Sequence, residues 1–362
     1  MRSAQKADAD PTHVTHVNFA KGFRGGERQT LNLIEGLTTK GTPQLLVCRA
    51  GSELQARAQA IGCATRGLAH PLLGHLRVAP TALIHAHEAR AVYWAALERT
   101  LRGTPYLITR RIPNAPSNSA VNRYVHRRAA ERVSVSSHVA QRLGASSGRS
   151  SLTILDSCSA LPVDPAKTAA LRTFFGPGPV IGHVGALQDH HKGQSVLIHA
   201  FLRLARTRPD ARLVLVGEGP DRAWLERLAS GDQRIVFAGF QPSVGDWFAA
   251  FDVFAFPSRE EGLGSSVLDA MLMGIPVMSS TAGGLPELSA GHHNSIMVQG
   301  FDPSDWAIAL DHLLGDPDIR TRLVENAHRF ARAHDVEAMT SSYAAVYREV
   351  VSATHRSACP PR

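Results

Sequence analysis

The stretch DVFAFPSREEGLGSSVLDAM, residues 252–271, joins a short β-rich run to a helix-like run through a loop that glycines interrupt. We predict a strand, a loop over 257–264 and then a helix that ends at Gly274, with Ser265 or Ser266 as its N-cap. In open α/β sheets, ligands bind in the loops that follow the carboxyl ends of the strands. The stretch therefore predicts an α/β fold and marks the place of a binding site.

The same alternation of strand and helix runs through most of the chain in two series. The first contains HVTHVNFA, PQLLVC, ALIHAH, PYLIT and RVSVSS, and the second restarts at VIGHVGAL after a Pro-punctuated linker near 160–178. This rhythm is typical of parallel βαβ units. We predict two doubly wound, Rossmann-like domains over 1–165 and 166–334, followed by a helix over 335–351.

The composition of the 362 residues is that of an ordinary globular protein, with 44% apolar and 19% charged residues. No run approaches the roughly 18 apolar residues of a membrane span, and the polar start MRSAQKADADPTH does not resemble a signal peptide. The cysteines have neither paired nor metal-like spacing, which favours free thiols in a reducing compartment: Cys48, Cys63, Cys158 and Cys359. We therefore expect a cytoplasmic protein.

The net charge of +8 permits an acidic partner. Much of the excess lies between 99 and 142, where nine arginines accompany Glu131. This segment is either a solvated basic helix face or a patch for an anionic acceptor or the anionic inner face of a membrane. It has no interleaved aromatic residues and no zinc-finger or RNA-binding motif, so we do not expect a nucleic-acid partner.

Glu261 and Asp269 stand on either side of the loop that contains Gly262 and Gly264. The glycines leave room for a ligand at the main-chain N–H groups of the helix start, where anions are favoured. The carboxylates would repel a phosphate but accept hydrogen bonds from hydroxyls. A nucleotide sugar carries both groups and fits the whole pattern. The plainer interpretation is a capped helix with Asp269 on its wet face and Glu261 as a solvated loop acid.

Other strand-to-helix loops carry residues that suit the same ligand. Lys192 offers a point charge to a phosphate, and Gly217 ends a strand in a glycine turn. Gly25 and Gly26 separate a strand from a helix in the first half, and Phe240 follows the strand RIVFAG as a candidate neighbour of the base. Such loops converge on one edge of a parallel sheet.

The stretch PSREEGLGSSVLDAMLMGIPVMSSTAGGLPE, residues 257–287, resembles the donor-site signature of the family 4 retaining glycosyltransferases. A weaker likeness in GALQDHHKG, LVLVGEGP, GFRGGERQTLNLIEGL and IHAHEARA extends the resemblance over most of the chain. It implies the GT-B fold, in which two Rossmann-like domains face a central cleft and the C-terminal helix, here 335–351, crosses back onto the first domain. TRRIPN with the arginine-rich helix after it loosely resembles bacterial lipopolysaccharide and capsule transferases.

The resemblance implies transfer of a sugar, with retention, from a nucleotide-diphosphate sugar to a hydroxyl of a cell-surface glycan or glycolipid. Glu261 would contact the donor sugar, Asp269 the ribose and Lys192 the diphosphate, while His87 would lie near the sugar ring. No metal or other cofactor is expected. With the residues singled out above, the candidate donor-binding set is Gly25, Gly26, Lys192, Gly217, Phe240, Glu261, Gly262, Gly264, Ser265 and Asp269. The candidate acceptor-side residues are Arg24, Arg90, Arg110 and Arg111.

Two positions depart from the family pattern. The second acid is an aspartate, Asp269, whose carboxylate is one methylene shorter than the usual glutamate. The arginine usually found six residues before the lysine is Ala186. Losing a charge-assisted hydrogen bond costs about 1.5–3 kcal/mol, and Arg24, Arg28, His190 or His191 are candidates to compensate.

Three alternatives remain at this point. The departures keep open a GT-B protein that binds nucleotide sugars, or acts as a scaffold, without turnover. An enzyme of different outcome, a nucleotide-sugar epimerase or a phosphorylase, is the second. The third is a metal site. His85 and His87 alternate on one strand and face the same way, but a metal site needs three or four converging ligands.

Overall fold

The computed structural model describes residues 13–76, 78–79, 81–114, 116–117 and 119–358, and within them the two halves of the chain form two parallel sheets. The polar start of the sequence and Cys359 lie outside the described residues. The doubly wound α/β fold predicted from the alternation of strands and helices is confirmed. Of the described helices, none combines the length and the apolar character needed to cross a bilayer.

The first sheet has seven strands in the order β3-β2-β1-β4-β5-β6-β7, and its neighbouring strands run parallel. The strands are β1 (Val14–Asn18), β2 (Gln44–Arg49), β3 (Ala64–Leu68), β4 (Leu83–Ala86), β5 (Tyr106–Arg110), β6 (Glu131–Ser134) and β7 (Leu152–Thr153). The connecting helices are α1 (Gly25–Thr39), α2 (Glu53–Ala60), α3 (Ala89–Arg102), α4 (Ala120–Arg128) and α5 (Ser137–Ser147), with a 3-10 turn over Pro71–Leu76.

The second sheet has six parallel strands in the order β10-β9-β8-β11-β12-β13. They are β8 (Val180–Val184), β9 (Arg212–Val216), β10 (Ile235–Gly239), β11 (Val253–Phe256), β12 (Val277–Ser280) and β13 (Ile296–Val298). The helices of this half are α6 (Pro165–Phe175), α7 (Asp189–Lys192), α8 (Gln194–Leu204), α9 (Arg222–Leu228), α10 (Gly245–Ala249), α11 (Ser265–Leu272), α12 (Leu285–Ser289), α13 (Pro303–Gly315) and α14 (Pro317–Arg332).

The central strands of both sheets are buried on both faces. Every residue of β1, β4, β11 and β12 is buried, because helices cover each side of the sheet. The second half has its own core, in which Trp306 is completely buried among apolar side chains such as Phe201 and Leu310. Polar loops follow the ends of these strands.

The last described helix, α15 (Val336–Ala358), lies against the first domain. Met339, Tyr343 and Tyr347 share one apolar cluster with Val14 and Leu33 of the first half. The chain thus returns to the first sheet after completing the second. A core on one domain therefore depends on residues from the far end of the sequence.

One local prediction is wrong. Neither Ser265 nor Ser266 caps α11, because Gly264 is the N-cap, with φ of +100°, and no side chain accepts a hydrogen bond there. The predicted linker near 160–178 contains a helix, since α6 occupies its centre. Asp164 starts that helix by accepting a hydrogen bond from the main-chain N–H of Ala166 at 3.0 Å, and Pro165 suits its first position.

We predict that Tyr343→Ala destabilises the first domain by about 3–5 kcal/mol, because it empties a buried aromatic site. Tyr343 is 1% exposed, and its hydroxyl hydrogen-bonds Thr109 Oγ1 at 3.0 Å. Urea unfolding followed by circular dichroism measures the change. Glu349→Ala, an exposed position on the same helix, is the matched control and should change stability by less than about 0.5 kcal/mol. Equal stability of the two variants would show that α15 does not support the first domain.

Candidate active site

A cleft of about 1230 Å³ lies between the two domains, at the edges where their strands end. The strand order of the first sheet reverses between β1 and β4, and that of the second between β8 and β11. Such switch points are where doubly wound folds bind ligands. The loops after these four strands all line the cleft, through Gly22, Glu88, Ala186 and Glu261 respectively. The topology therefore places the loop predicted from the sequence opposite the first domain.

The 257–264 loop touches the first domain through its main chain. A Cβ atom at Gly262 would lie 2.0 Å from the carbonyl oxygen of Arg111, so only glycine allows this approach. The hydroxyl of Ser136 donates to the carbonyl of Gly262 at 2.6 Å. The left-handed conformation of Gly264 then turns the chain into α11. The loop is thus a contact between domains as well as a wall of the cleft.

A second contact between the domains uses the carboxylate of Glu287. It accepts hydrogen bonds from the main-chain N–H groups of Ser137 and His138, at 2.9 and 3.3 Å, in the first turn of α5. A negative charge at the positive end of a helix is stabilising. Glu287 thus joins the second domain to α5 of the first.

Lys192 and Glu261 form an ion pair inside the cleft. Lys192 is the last residue of the one-turn helix α7, and its Nζ lies 4.9 Å from the centre of the Phe256 ring. The side chains of Lys192 and Glu261 are 21% and 16% exposed. The ion pair therefore borders the cleft and can exchange partners with a ligand.

Most of the candidate donor-binding residues lie together in the wall of this cleft. Gly25 and Ser265, at the starts of α1 and α11, approach so closely that a Cβ at Gly25 would be 3.3 Å from Ser265 Oγ. The ring of Phe240 is 58% exposed and borders the same space. The candidates that line the cleft are Gly25, Gly26, His87, Lys192, Gly217, Phe240, Glu261, Gly262, Gly264 and Ser265.

Asp269 does not line the cleft and is not on a wet face, because its residue is completely buried. Its carboxylate forms an ion pair with Arg28 of α1 and accepts the main-chain N–H of Ser159 at 3.3 Å. Burial raises the pKa of Asp269, and the positive charge of Arg28 opposes that rise. Asp269 thus ties α11 to α1 and to the linker, and Arg28 is already paired.

The four acceptor-side candidates have different surroundings. Arg24 and Arg110 line the cleft, and Arg110 donates to the carbonyl of Asn114. Arg111 also lines it, but its side chain is 8% exposed and its Nε donates to Asp156 Oδ1 at 3.0 Å. Arg90 is exposed and does not line the cleft.

The arginine-rich segment is not one solvated helix face. Arg132 belongs to β6, is completely buried and donates to the carbonyl of Ser150 at 2.5 Å. RVSVSS, which begins at Arg132, was predicted as a strand, and β6 includes its first three residues.

His16, His85 and His87 form a buried cluster behind the cleft, with potential ligand atoms within 4.8 Å of one another. Arg111 Nη1 donates to His87 Nδ1 at 3.3 Å, so the proton of His87 sits on Nε2 and donates to His16 Nδ1 at 3.0 Å. His85 hydrogen-bonds Tyr347 Oη at 2.6 Å and Thr109 Oγ1 at 2.7 Å. Protein partners thus occupy every ring nitrogen of the cluster except His16 Nε2.

Burial keeps these histidines neutral. It lowers the pKa of His16 to about 3, and it lowers the pKa of His87 well below its usual value, as do the charges of His85, Arg111 and His16. A hydrogen-bonded, neutral triad beside a guanidinium is a poor site for a divalent cation, because partners of His85 and His87 would have to be displaced and the cation would be repelled.

Sequence analysis missed His16, Asp156 and Tyr347. His16 lies in HVTHVNFA, which was assigned to a strand, but its pairing with His85 depends on the register of β1 against β4. Asp156 and Tyr347 reach the site from the segment after β7 and from α15. No local pattern in the sequence predicts such contacts.

We predict that Asp269→Asn destabilises the protein by about 3 kcal/mol, because it removes the buried carboxylate that pairs with the half-buried Arg28. Asp311→Asn is the matched control, since Asp311 pairs with Arg208 at 2.6 Å on the surface. That pair should contribute less than about 1 kcal/mol. Chemical unfolding of both variants measures the difference, and an Asp269→Asn protein as stable as wild type would contradict the buried tie.

We predict that the free energy of unfolding falls as pH drops below about 6.5. Histidines of the unfolded chain bind protons in this range, whereas the buried ones stay neutral. His16→Gln removes one such group. The slope between pH 5 and 6 should therefore decrease by about 1 kcal/mol per pH unit. His312→Gln, on an exposed face, is the control. Equal slopes in wild type and His16→Gln would mean that His16 is not held neutral.

The sequence of the second domain is similar to those of known proteins. A family model described as glycosyl transferases group 1 matches residues 178–316, which is most of the second domain. D-inositol 3-phosphate glycosyltransferase of Corynebacterium jeikeium is 36% identical over 195 residues, which are 50% of this chain and 46% of that protein. Lipopolysaccharide core biosynthesis glycosyltransferase LpsE of Rhizobium meliloti is 34% identical over 173 residues, 46% of this chain and 48% of that protein. The chain spans about half the length of the curated relatives it matches.

Solved structures resemble the whole chain. Anabaena HepE in complex with UDP and glucose superposes with a TM-score of 0.80 at 20% identity, covering 93% of this chain and 100% of that one. Sucrose-phosphate synthase from Thermosynechococcus elongatus gives a TM-score of 0.77 at 20% identity, covering 94% and 100%. At this level of identity the likeness establishes the fold. Residues 178–316 are thus similar to the glycosyl transferases group 1 family, and the chain has the GT-B fold.

Proposed function

We propose that this protein is a retaining glycosyltransferase of the family 4 type. It moves a sugar from a nucleotide-diphosphate sugar to a hydroxyl of a cell-surface glycan or glycolipid. The observation that carries the proposal is the ion pair of Lys192 with Glu261, beside the uncapped start of α11, in a cleft between two domains. These are the groups that a sugar diphosphate needs, and they lie within a group 1 domain.

Donor binding exchanges the partners of that ion pair. The diphosphate takes the ammonium of Lys192 and the free N–H groups at the start of α11, where anions are favoured. The sugar hydroxyls donate to the carboxylate of Glu261. A ligand with both kinds of group replaces each half of the pair, whereas a phosphate alone leaves Glu261 without its cation. Phe240 borders the cleft as a surface for the base.

Retention is assigned to a front-face route, in which the leaving diphosphate takes the acceptor proton. A double displacement needs a free carboxylate beside the anomeric carbon. In the donor complex Glu261 accepts from the sugar hydroxyls, while Asp156 is held by Arg111 and Glu88 by the N–H groups of α3. His87 is neutral, so it serves as a positioning group on this route. Closure of the domains excludes water from the reaction.

The acceptor is assigned to the side of the cleft formed by the first domain. Arg24 and Arg110 give this side positive charge. Exposed apolar side chains lie in the same region, with Tyr93 43%, Ile112 54% and Tyr124 54% exposed. This combination suits a phosphorylated or lipid-linked acceptor at the inner membrane face, as in lipopolysaccharide or capsule synthesis. The protein then works in the cytoplasm or at that surface, without nucleic acid, metal or another cofactor.

A nucleotide-sugar-binding or scaffold protein without turnover is the second candidate. Two observations favour it specifically: Ala186 lines the cleft without a charge, and Asp269 is turned away from it.

We predict that Glu261→Ala abolishes sugar transfer and that Lys192→Ala weakens binding of nucleotide diphosphates. Transfer is measured with radiolabelled nucleotide sugars and a membrane glycolipid extract as acceptor. Glu325→Ala and Lys167→Ala, both on exposed faces of helices, are the charge-matched controls and should retain wild-type activity. Wild-type turnover in Glu261→Ala would overturn its assignment. Tight nucleotide binding without any product, in wild type, would support the second candidate.

A further inference from the structure

Arg111 has a buried guanidinium that is only partly satisfied. Its side chain lies in the wall of the cleft, where Nε donates to Asp156 Oδ1 at 3.0 Å and Nη1 donates to His87 Nδ1 at 3.3 Å. The N–H groups of Nη2 are buried and have no acceptor among the residues that the structure describes. Buried polar groups are normally paired, so this end of the guanidinium is suited to an acceptor from outside the protein.

The surroundings of Arg111 favour a negatively charged acceptor. Its Cδ is 3.9 Å from the Cβ position of Gly26, in the first turn of α1, and its carbonyl lies against Gly262. The start of α11 is adjacent, since Gly25 and Ser265 nearly touch. Two helix starts and one guanidinium therefore meet at the same place. Helix N-termini favour anions, and the planar fork of arginine matches phosphate oxygens.

Two other cations near this place are already paired with carboxylates. Arg28 is paired with Asp269, and Lys192 with Glu261. Ala186 has no charge at the position where the sequence resemblance implied an arginine. Asp156 balances the charge of Arg111, yet it occupies Nε and leaves Nη2 free. Arg111 is thus a rigid donor whose unpaired side is ready for a ligand.

We propose that Arg111 binds the diphosphate of the donor and takes the place of the cation that Ala186 lacks. This inference rests on the proposed function. In the step it assists, the bond from the anomeric carbon to the diphosphate oxygen breaks and its electron pair stays on that oxygen. The acceptor oxygen bonds to the anomeric carbon and its proton passes to the diphosphate. Arg111 stabilises the charge on the leaving diphosphate, and Asp156 and His87 are positioning residues for Arg111.

Isothermal titration calorimetry tests this with UDP, GDP, ADP, CDP and dTDP, each beside its nucleoside monophosphate. For the nucleotide that wild type binds, Arg111→Gln should lower the affinity for the diphosphate by tenfold to a hundredfold, which is about 1.4–2.8 kcal/mol. The affinity for the monophosphate should fall less, so the ratio of the two affinities decreases. Arg111→Lys should restore part of it, because it keeps the charge without the fork. Arg227→Gln, exposed on α9, is the matched control.

Arg111→Gln leaves Asp156 buried without its cation, so the double variant Arg111→Gln with Asp156→Asn is measured in parallel. The double variant removes both charges and should show the same loss of diphosphate affinity if Arg111 binds the diphosphate as proposed. A folded variant of either kind with wild-type affinity for the diphosphate overturns the role of Arg111. Equal weakening of diphosphate and monophosphate also overturns it, since that result means a general structural effect. If wild type binds none of the nucleotides, the proposed function itself fails.

Discussion

The approach of Gly262 to the carbonyl oxygen of Arg111 is the constraint on which the rest of the site depends. It brings the strand ends of one sheet against those of the other at main-chain distance, which no larger residue at position 262 permits. Once this contact exists, Ser136 can donate to Gly262 and Glu287 can accept from the start of α5. The cleft is the space that remains beside these contacts. Apolar side chains of both domains also pack together there, since Val135 and Val139 of the first domain share one buried cluster with Leu263 and Leu285 of the second.

Charges are arranged in pairs around that contact, and the pairs have different tasks. Arg28 with Asp269 joins α1 to α11, with the guanidinium at the wall of the cleft and the carboxylate buried. Lys192 with Glu261 lies inside it, where a ligand can separate the two partners. Arg111 with Asp156 has features of both pairs. Asp156 holds Nε of the guanidinium, whereas Nη2 has no acceptor among the residues that the structure describes. The carboxylates distinguish these pairs, since Asp269 does not line the cleft whereas Glu261 and Asp156 do.

The sequence predicted the fold and most of the cleft lining, and the reason is local. Strand-to-helix loops in parallel sheets converge by topology, so glycines and charges placed after strands meet without further information. Asp269 was misplaced because its environment depends on Arg28, more than two hundred residues earlier in the chain. His16 was missed because strand register decides that it faces His85. The cap of α11 was assigned to a serine because Ser is a common cap, whereas the close approach to the other domain required glycine at 262 and a left-handed turn at 264.

The central claim is that one ligand contacts both domains across the cleft. Hydrogen exchange of the wild-type protein, with and without the nucleotide sugar that it binds, tests this directly. The account predicts slower exchange in the loops over 185–193 and 257–266 of the second domain and, in the same experiment, over 22–28 and 109–112 of the first. Protection confined to one domain, or no protection in any of these loops, would contradict it.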